Sequence, residues 1–357
     1  MEGKMKAVVI TAPGEYQVQN IDIPGPGRGE ALVAVKSIAI CGSDPGIFGG
    51  KVRSNGWPPY YPFVAGHEFA GEVVELGEGI ENLKVGDRVS GEAHCGCGIC
   101  ENCKKGMYNL CLNYGNKKAG HRHYGHSTEG CYAQYQVYDQ KVLTKMPETV
   151  SYDEGTLVDT AGTAYNALRL CGVVPGGYTV VIGPGPMGIS AMMIAKAMGS
   201  TTIMIGRKER LQFAGRMGAD ILIDYEKVED PIEEVRRVTG GYGADQVIEA
   251  AGNTTAFMES VQMAKKGGHV AFISIPPQDG QMIAGKYLVM NQISLHGTRA
   301  NPNCSQIILN MMANGALGGL KNMITNVFSI DQIKEAFDTF INRRDGAVKV
   351  LVHPFDE

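Results

Sequence analysis

Thr179-Val180-Val181-Ile182-Gly183-Pro184-Gly185-Pro186-Met187-Gly188 decides the fold of this 357-residue chain. Its first four residues form a continuous apolar run rich in β-branched side chains, the pattern of a strand covered on both faces. Glycines then recur as G-x-G-x-x-G at Gly183, Gly185 and Gly188. Met187 to Met198 continues as a segment apolar all round, which reads as a helix buried on both sides. Strand, glycine turn and helix in that order make a phosphate cradle for a dinucleotide. The glycines permit a tight turn, close approach of a pyrophosphate and close helix packing, and the helix N-terminus adds free N–H groups and partial positive charge. A lone loop of this kind is a weak signal, and its surroundings give it weight.

Downstream, strands alternate with helices. The strands are Ile203-Met204-Ile205, Ile221-Leu222-Ile223, Gln246-Val247-Ile248, His269 to Ile273 and Ile293-Ser294-Leu295. The helices are Glu209 to Met217, Pro231 to Val238 and Thr255 to Ala264. This order specifies a parallel, doubly wound α/β sheet. Upstream, to about residue 155, the grammar differs: short runs such as Ala31-Leu32-Val33-Ala34-Val35, Glu72-Val73-Val74-Glu75-Leu76 and Asp87-Arg88-Val89 stand between glycine- and proline-rich turns. Many short strands so punctuated predict an irregular β barrel or sandwich. After about residue 300, helices at Ser305 to Met312 and Ile330 to Phe340 and a last strand at Val348 to Val352 are expected to return to that first domain.

Cofactor choice turns on the end of the second strand of the alternating region, where an acidic residue holds the ribose 2′-hydroxyl of NAD. Here the sequence is Ile203-Met204-Ile205-Gly206-Arg207-Lys208, with no acid before Glu209. Gly206 leaves room for a 2′-phosphate, and Arg207 and Lys208 can neutralise it. NADP is therefore expected ahead of NAD; the competing reading makes both cations solvated residues at a helix start.

A net charge of −4 gives no electrostatic footprint for nucleic acid. No apolar run approaches the roughly 20 residues of a membrane span, so no membrane partner is expected. Met1-Glu2-Gly3-Lys4 leads directly into an apparent strand at Met5 to Ile10, and the expected compartment is the cytoplasm. In a reducing compartment clustered cysteines point to metal rather than disulfides. Of nine cysteines, four are arranged as C-x2-C-x2-C-x7-C at Cys97, Cys100, Cys103 and Cys111. Four thiolates at that spacing close a tetrahedral shell around a structural zinc with no open position. An iron–sulfur cluster of the bacterial ferredoxin type would want its fourth cysteine three residues on and followed by proline, whereas Cys111 is followed by Leu112. A redox dithiol would need only two.

A second constellation is dispersed. Cys41-Gly42-Ser43-Asp44 lies at a strand end, and His67-Glu68 lies within Phe63-Val64-Ala65-Gly66-His67-Glu68-Phe69-Ala70-Gly71. Alone, Cys41 reads as a small buried hydrophobe and His67 as a satisfied loop residue. Together, thiolate, imidazole and carboxylate leave a coordination position for substrate, as in a catalytic zinc site.

These segments, with Val85-Gly86-Asp87-Arg88-Val89, the four-cysteine lobe and the glycine loop, resemble the zinc-containing medium-chain dehydrogenase/reductases over nearly the whole chain, and most of all the sorbitol (polyol) and L-threonine 3-dehydrogenase branch. The resemblance implies a GroES-like β-rich catalytic domain at 1–160, completed by 301–357, around a Rossmann domain at 161–300, with the active site in the cleft between them. It implies two Zn2+ per chain. The catalytic one is expected on Cys41 and His67, with Glu68 as adjacent ligand or exchange partner and Asp159, in Leu157-Val158-Asp159-Thr160-Ala161-Gly162, as the further carboxylate. Ser43 matches the hydroxyl that takes the substrate proton, and His94 matches an active-site histidine of the threonine enzymes. Cofactor contacts are expected from Gly183, Gly185, Pro186, Met187, Gly188, Gly206, Arg207 and Lys208. The implied activity is hydride transfer between a small polar secondary alcohol (polyol, cyclitol or sugar-like) and NADP or NAD, by a homo-oligomer, dimer or tetramer.

The sequence departs from the family in two places. A relay histidine is often found where this chain has Gly46, and Gly120-His121-Arg122-His123-Tyr124-Gly125-His126 carries three histidines in a segment read as a solvated loop near the substrate cleft. Phe48, Trp57 and Tyr60 are candidates for a more apolar wall. Competing readings are a threonine-type or simple secondary alcohol dehydrogenase, a zinc-dependent lyase or reductase on the same fold, and a non-enzymatic zinc and dinucleotide sensor. Intact Cys41, His67, Glu68 and Asp159 weigh against the last.

Overall fold

Six strands form the sheet that carries the glycine loop, in the order Ile221–Asp224, Thr201–Gly206, Tyr178–Ile182, Ala244–Glu249, Ala264–Phe272, Ser294–Gly297. Every neighbouring pair is parallel. Counted along the chain the order is 3-2-1-4-5-6, so the winding reverses between Tyr178–Ile182 and Ala244–Glu249, and a crevice opens at their carboxyl ends. Val180, Val181, Ile203, Met204, Val247 and Ile248 are wholly buried, which explains their unbroken apolar runs. The connecting helices, Pro186–Ala197, Lys208–Arg216, Pro231–Val238 and Thr254–Met263, lie within a residue of the sequence expectation. Their starts have local causes. The Asp230 carboxylate accepts the Ile232 N–H at 2.7 Å, and the Asn253 amide oxygen accepts the Ala256 N–H at 3.0 Å. Burial of the helix after the glycine loop is less complete than its composition suggests, since Lys196 and Ala197 face solvent.

The structure is a computed structural model and describes residues 3–275 and 284–355. The chain divides into two compact units: Met1–Asp159, Ser305–Ala313 and Met323–Glu357 form one, Thr160–Cys304 and Asn314–Asn322 the other. The first is built on a seven-stranded sheet in the order Ile324–Ser329, Lys349–His353, Glu30–Ala39, Glu68–Leu76, Arg88–Gly91, Leu143–Lys145, with Tyr135–Asp139 also pairing to Glu30–Ala39. The C-terminal strand thus lies in the sheet of the first unit, next to Glu30–Ala39. Phe69 stacks on Tyr138 at 4.1 Å in its core, and Phe48 meets Tyr16, Tyr132 and Phe337 there. Phe48 is therefore a core residue and not a cleft wall. Among the described residues no helix is long and apolar enough to cross a membrane.

Strand Ile324–Ser329 and helix Gly285–Met290 are not among the elements read from the sequence, and two further elements differ from it. The helix read from Ile330 begins as a 3-10 turn at Ile330–Gln332, and the α-helix runs Ile333–Asn342. Helix Val158–Cys171, with Asp159 in its first turn, has no counterpart in the hydrophobic patterning. It follows a short helix, Tyr152–Gly155, opened by a capping box in which Ser151 and Glu154 satisfy each other's main-chain N–H groups.

Arg88 fastens this segment to the sheet. Its guanidinium donates to the carbonyls of Pro147 (3.2 Å), Glu148 (3.1 Å) and Val150 (2.6 Å) and lies 4.5 Å above the Tyr152 ring. Arg88→Ala is expected to lower stability to urea by about 2 kcal/mol, the scale of charge-assisted hydrogen bonds at a half-buried site. Arg88→Lys should recover less than half, because an ammonium cannot fork across three carbonyls. Wild-type stability in the lysine variant would contradict this role.

Candidate metal centres and dinucleotide site

Strand register assembles the first cluster. Glu30–Ala39 runs antiparallel to all three strands it pairs with, and Ala39 lies opposite Glu68 on one side and opposite Leu351 on the other. Two residues past Ala39, Cys41 therefore meets His67 and Glu68 from one flank and Lys349 from the other. The Asp44 carboxylate fixes the Cys41 turn, accepting the Cys41 N–H at 2.9 Å and the Tyr132 hydroxyl at 2.7 Å. One thiol, one imidazole nitrogen and one carboxylate oxygen from Cys41, His67 and Glu68 lie within 4.8 Å of one another. His67, Glu68 and Asp44 are all buried.

Burial alone would lower the His67 pKa. Cys41, acting by charge and hydrogen bond, together with Asp44 and Asp159, instead holds it well above the usual value. The pocket is thus electronegative, built to surround a cation. Two observations fit a metal ion: the donor set is that of catalytic zinc, and His67 Nδ1 is a buried atom with no hydrogen-bond partner, 3.7 Å from Asp44 Oδ1. Ser43 Oγ, two residues past Cys41, is also buried with no hydrogen-bond partner. Asp159 stands outside the three-residue cluster. Burial raises its pKa to about 7, with His67 and Lys349 opposing and Glu68 and Glu92 reinforcing the shift.

Lys349 was not legible in the sequence. It is 2% exposed and pairs with Glu68. Burial favours its neutral form, but Glu68, Cys41 and Asp159 push its pKa above the ordinary value. The ammonium therefore remains charged and neutralises one acid of the cluster.

The histidine segment is not a solvated loop: His121, His123 and His126 are 1%, 4% and 5% exposed. Three glycines cause the burial. A Cβ on Gly125 would lie 2.3 Å from the Gly66 carbonyl oxygen, and one on Gly130 1.9 Å from the same atom. This contact draws the segment down beside His67. His126 then lies 4.7 Å from His67, stacks on His123 at 3.9 Å, and His123 stacks on His94 at 3.9 Å. Trp57 meets His123 and His126 edge-on and donates to the Tyr114 hydroxyl, itself 2.5 Å from His123 Nδ1. The signal for this packing was Gly125 and Gly130 flanking the last histidine, with Gly66 directly before His67. Tyr60 is 40% exposed and bonds to Glu129, 2.6 Å away.

The four-cysteine lobe closes on itself. Sγ separations are 3.9 Å for Cys97–Cys103 and 4.0 Å for Cys100–Cys111. A tetrahedral shell with Zn–S bonds of about 2.3 Å requires about 3.8 Å between sulfurs. Asn113 donates to Cys97 Sγ at 3.3 Å and is the leading cause that lowers its pKa to about 6. All nine cysteines are free. No disulfide competes with metal.

The glycine loop has the geometry its spacing predicts. Gly183 has φ +102°, and a Cβ there would press on the Ala251 nitrogen at 2.8 Å; one on Gly188 would strike the Gly183 oxygen at 2.0 Å. Gly185 has open space around it and caps helix Pro186–Ala197. The notion that Gly206 merely leaves room for a phosphate needs amending, because a Cβ there would lie 2.6 Å from Pro184 Cγ. Arg207 and Lys208 are exposed at the helix start, and both approach Glu226 Oε1, at 2.7 and 3.9 Å.

A doubly wound sheet with a phosphate cradle, in a chain that also carries two clusters of side chains able to hold a metal ion, is the arrangement of a metal-dependent, nucleotide-linked dehydrogenase. Residues 27–148 match the model of the alcohol dehydrogenase GroES-like domain, and residues 186–314 that of the zinc-binding dehydrogenases. The sorbitol dehydrogenase of Bacillus subtilis strain 168 is 30% identical over 98% of this chain and 97% of its own. An L-threonine 3-dehydrogenase of Bacillus licheniformis is 33% identical over 99% of this chain and 100% of its own. The crystal structure of a zinc-binding dehydrogenase from Sinorhizobium meliloti 1021 bound to NADP superposes with a TM-score of 0.88 at 29% identity, covering 99% of this chain and 100% of that one. The chain belongs to the zinc-containing alcohol dehydrogenase family of medium-chain dehydrogenases, and it is an NAD(P)-dependent oxidoreductase.

Two zinc equivalents per chain are expected from elemental analysis of the purified enzyme. Cys100→Ser should remove one equivalent and lower Tm by at least about 5 °C, because a closed zinc site contributes folding energy. A fully loaded wild type holding one equivalent or fewer would refute the two-site reading.

Proposed function

We propose that the enzyme oxidises a small polar secondary alcohol, a polyol, cyclitol or sugar-like compound, with NADP used at least as well as NAD. The observation that carries the substrate class is the buried His126–His123–His94 stack beside His67, ringed by Trp57 and Tyr114. Polar imidazole rings gathered in this buried region, with Trp57 and Tyr114 bonded to each other beside them, suit a ligand bearing several hydroxyls. A site of buried polar groups rejects analogues that lack matching hydroxyls, by as much as about 10⁴-fold. The sorbitol dehydrogenase relative agrees with this reading.

The proposed division of labour assigns metal and substrate to residues 1–160 with 301–357, and the dinucleotide to 161–300. Cys41, His67 and Glu68 would hold the catalytic zinc, with Asp159 as the further carboxylate, and Cys97, Cys100, Cys103 and Cys111 the structural one. When bound, zinc supplies Lewis acidity toward the substrate hydroxyl and the nicotinamide takes the hydride. The chain's own part is to bind, orient and move one proton. Ser43 Oγ, buried and without a hydrogen-bond partner, accepts the proton released from the alcohol and passes its own onward. Gly46 offers no imidazole for the next transfer. Lys349 keeps the anionic cluster from accumulating uncompensated charge. Arg207 and Lys208 share a single carboxylate, Glu226, which leaves net positive charge for a 2′-phosphate. We further propose a cytoplasmic homo-oligomer, dimer or tetramer, in keeping with the habit of the family.

Absorbance at 340 nm, read over a panel of alcohols with each cofactor, tests this. A vicinal polyol should exceed 2-butanol in kcat/KM by at least about 100-fold. NADP should match or surpass NAD, and Arg207→Ala should lower NADP efficiency selectively, by about tenfold. Equal efficiency on 2-butanol would reject the polar pocket, and a tenfold preference for NAD would reject the cofactor assignment.

A further inference from the structure

Glu249 ends the fourth strand of the parallel sheet, directly across the switch point from Ile182. It is 0% exposed. Three donors satisfy its carboxylate. Oε1 accepts the main-chain N–H groups of Ala251 (2.7 Å) and Gly252 (2.8 Å), and Oε2 accepts the Ser274 hydroxyl. A carboxylate spent on two consecutive backbone N–H groups of its own loop fixes that loop's path. Main-chain bonds complete the tie: Ala250 N–H donates to Ile182 oxygen at 2.9 Å, and Ile273 N–H donates to Glu249 oxygen at 3.0 Å. The loop so held is the one that presses on Gly183, where a Cβ would lie 2.8 Å from Ala251 nitrogen. Thus one buried acid links the carboxyl ends of the first, fourth and fifth strands around the crevice.

The two halves of such a sheet each take one mononucleotide. The half with the glycine loop and Arg207 serves the adenosine side, so the loop after Glu249 borders the nicotinamide side. We propose that Glu249 is a positioning residue for the nicotinamide half of the cofactor: through Ala251, Gly252 and Ser274 it sets the wall against which that half rests. The inference relies on the dinucleotide reading above. Loosening this wall should leave the adenosine half bound while the nicotinamide half loses its seat.

Binding is measured on the zinc-loaded enzyme by fluorescence titration with NADPH and NADH, and by calorimetry with ADP-ribose and its 2′-phosphate. In Glu249→Ala the dinucleotide Kd should rise about tenfold or more, whereas ADP-ribose affinity should stay within about twofold. Cofactor KM should rise more than polyol KM. Glu249→Gln, whose amide oxygen can still accept both N–H groups, should return to within about threefold of wild type. Ser274→Ala removes one contact only and should show the same selectivity on a smaller scale, which keeps the test decisive if Glu249→Ala does not fold. Equal losses for dinucleotide and ADP-ribose, or no dinucleotide loss in any variant, would overturn the assignment. Failure of the wild type to bind ADP-ribose would instead overturn the dinucleotide reading itself.

Discussion

The antiparallel register that sets Ala39 opposite both Glu68 and Leu351 is the constraint on which the metal-binding chemistry depends. Three strands from distant parts of the sequence end together there. Cys41, His67, Glu68 and Lys349 become neighbours only because those pairings hold. A slip of one residue would turn each strand's side chains to the opposite face and disperse the cluster. The register is in turn secured by packing: Ile38, Phe69 and Val350 are buried in the same core. Chemistry and hydrophobic burial are therefore specified by one alignment.

Burial also sets the electrostatics. Grouping Cys41, Asp44, Glu68 and Asp159 in a low-dielectric region is costly unless positive charge answers them. Lys349 provides a permanent part of that charge and a dication would supply the rest. His67 has its basicity raised by the same anions. The stacked histidines extend this polar interior away from the cluster. They are admitted because glycine backbones at Gly66, Gly125 and Gly130 touch, which removes the space that would otherwise separate the two segments.

Much of this was legible in the sequence, and the reasons for the remainder are physical. The doubly wound sheet declared itself because its central strands are apolar on both faces and each is followed by a turn and a helix. The four-cysteine lobe was equally plain, since its ligands are local. Cys41 and His67 needed the resemblance, because only a sheet unites them. Lys349 could not be recognised: a lysine in an apolar strand reads as the solvent-facing member of an alternation, and only the partner strand reveals Glu68 beside it. The histidine segment was misjudged as solvated since its polarity was visible, while its glycine contacts are long-range. Helix Val158–Cys171 escaped because its Thr- and Gly-containing stretch, Thr160-Ala161-Gly162-Thr163-Ala164, has weak helix propensity and is held by burial. Glu249 went unremarked, because nothing in its sequence neighbours shows that its carboxylate turns back on the N–H groups of Ala251 and Gly252.

The contact between Gly206 and Pro184 bears on how cofactor preference can evolve. Position 206 ends the strand where relatives of this architecture place the acid that selects NAD. In this chain, any side chain there meets the proline ring inside the glycine loop. An acidic substitution at 206 alone would push on the loop that cradles the pyrophosphate, so the first step toward a new specificity would damage the binding of either cofactor. Replacing Pro184 beforehand removes the obstruction. The two positions are thus epistatic, and the order in which they change determines whether an evolutionary or laboratory path passes through a functional intermediate.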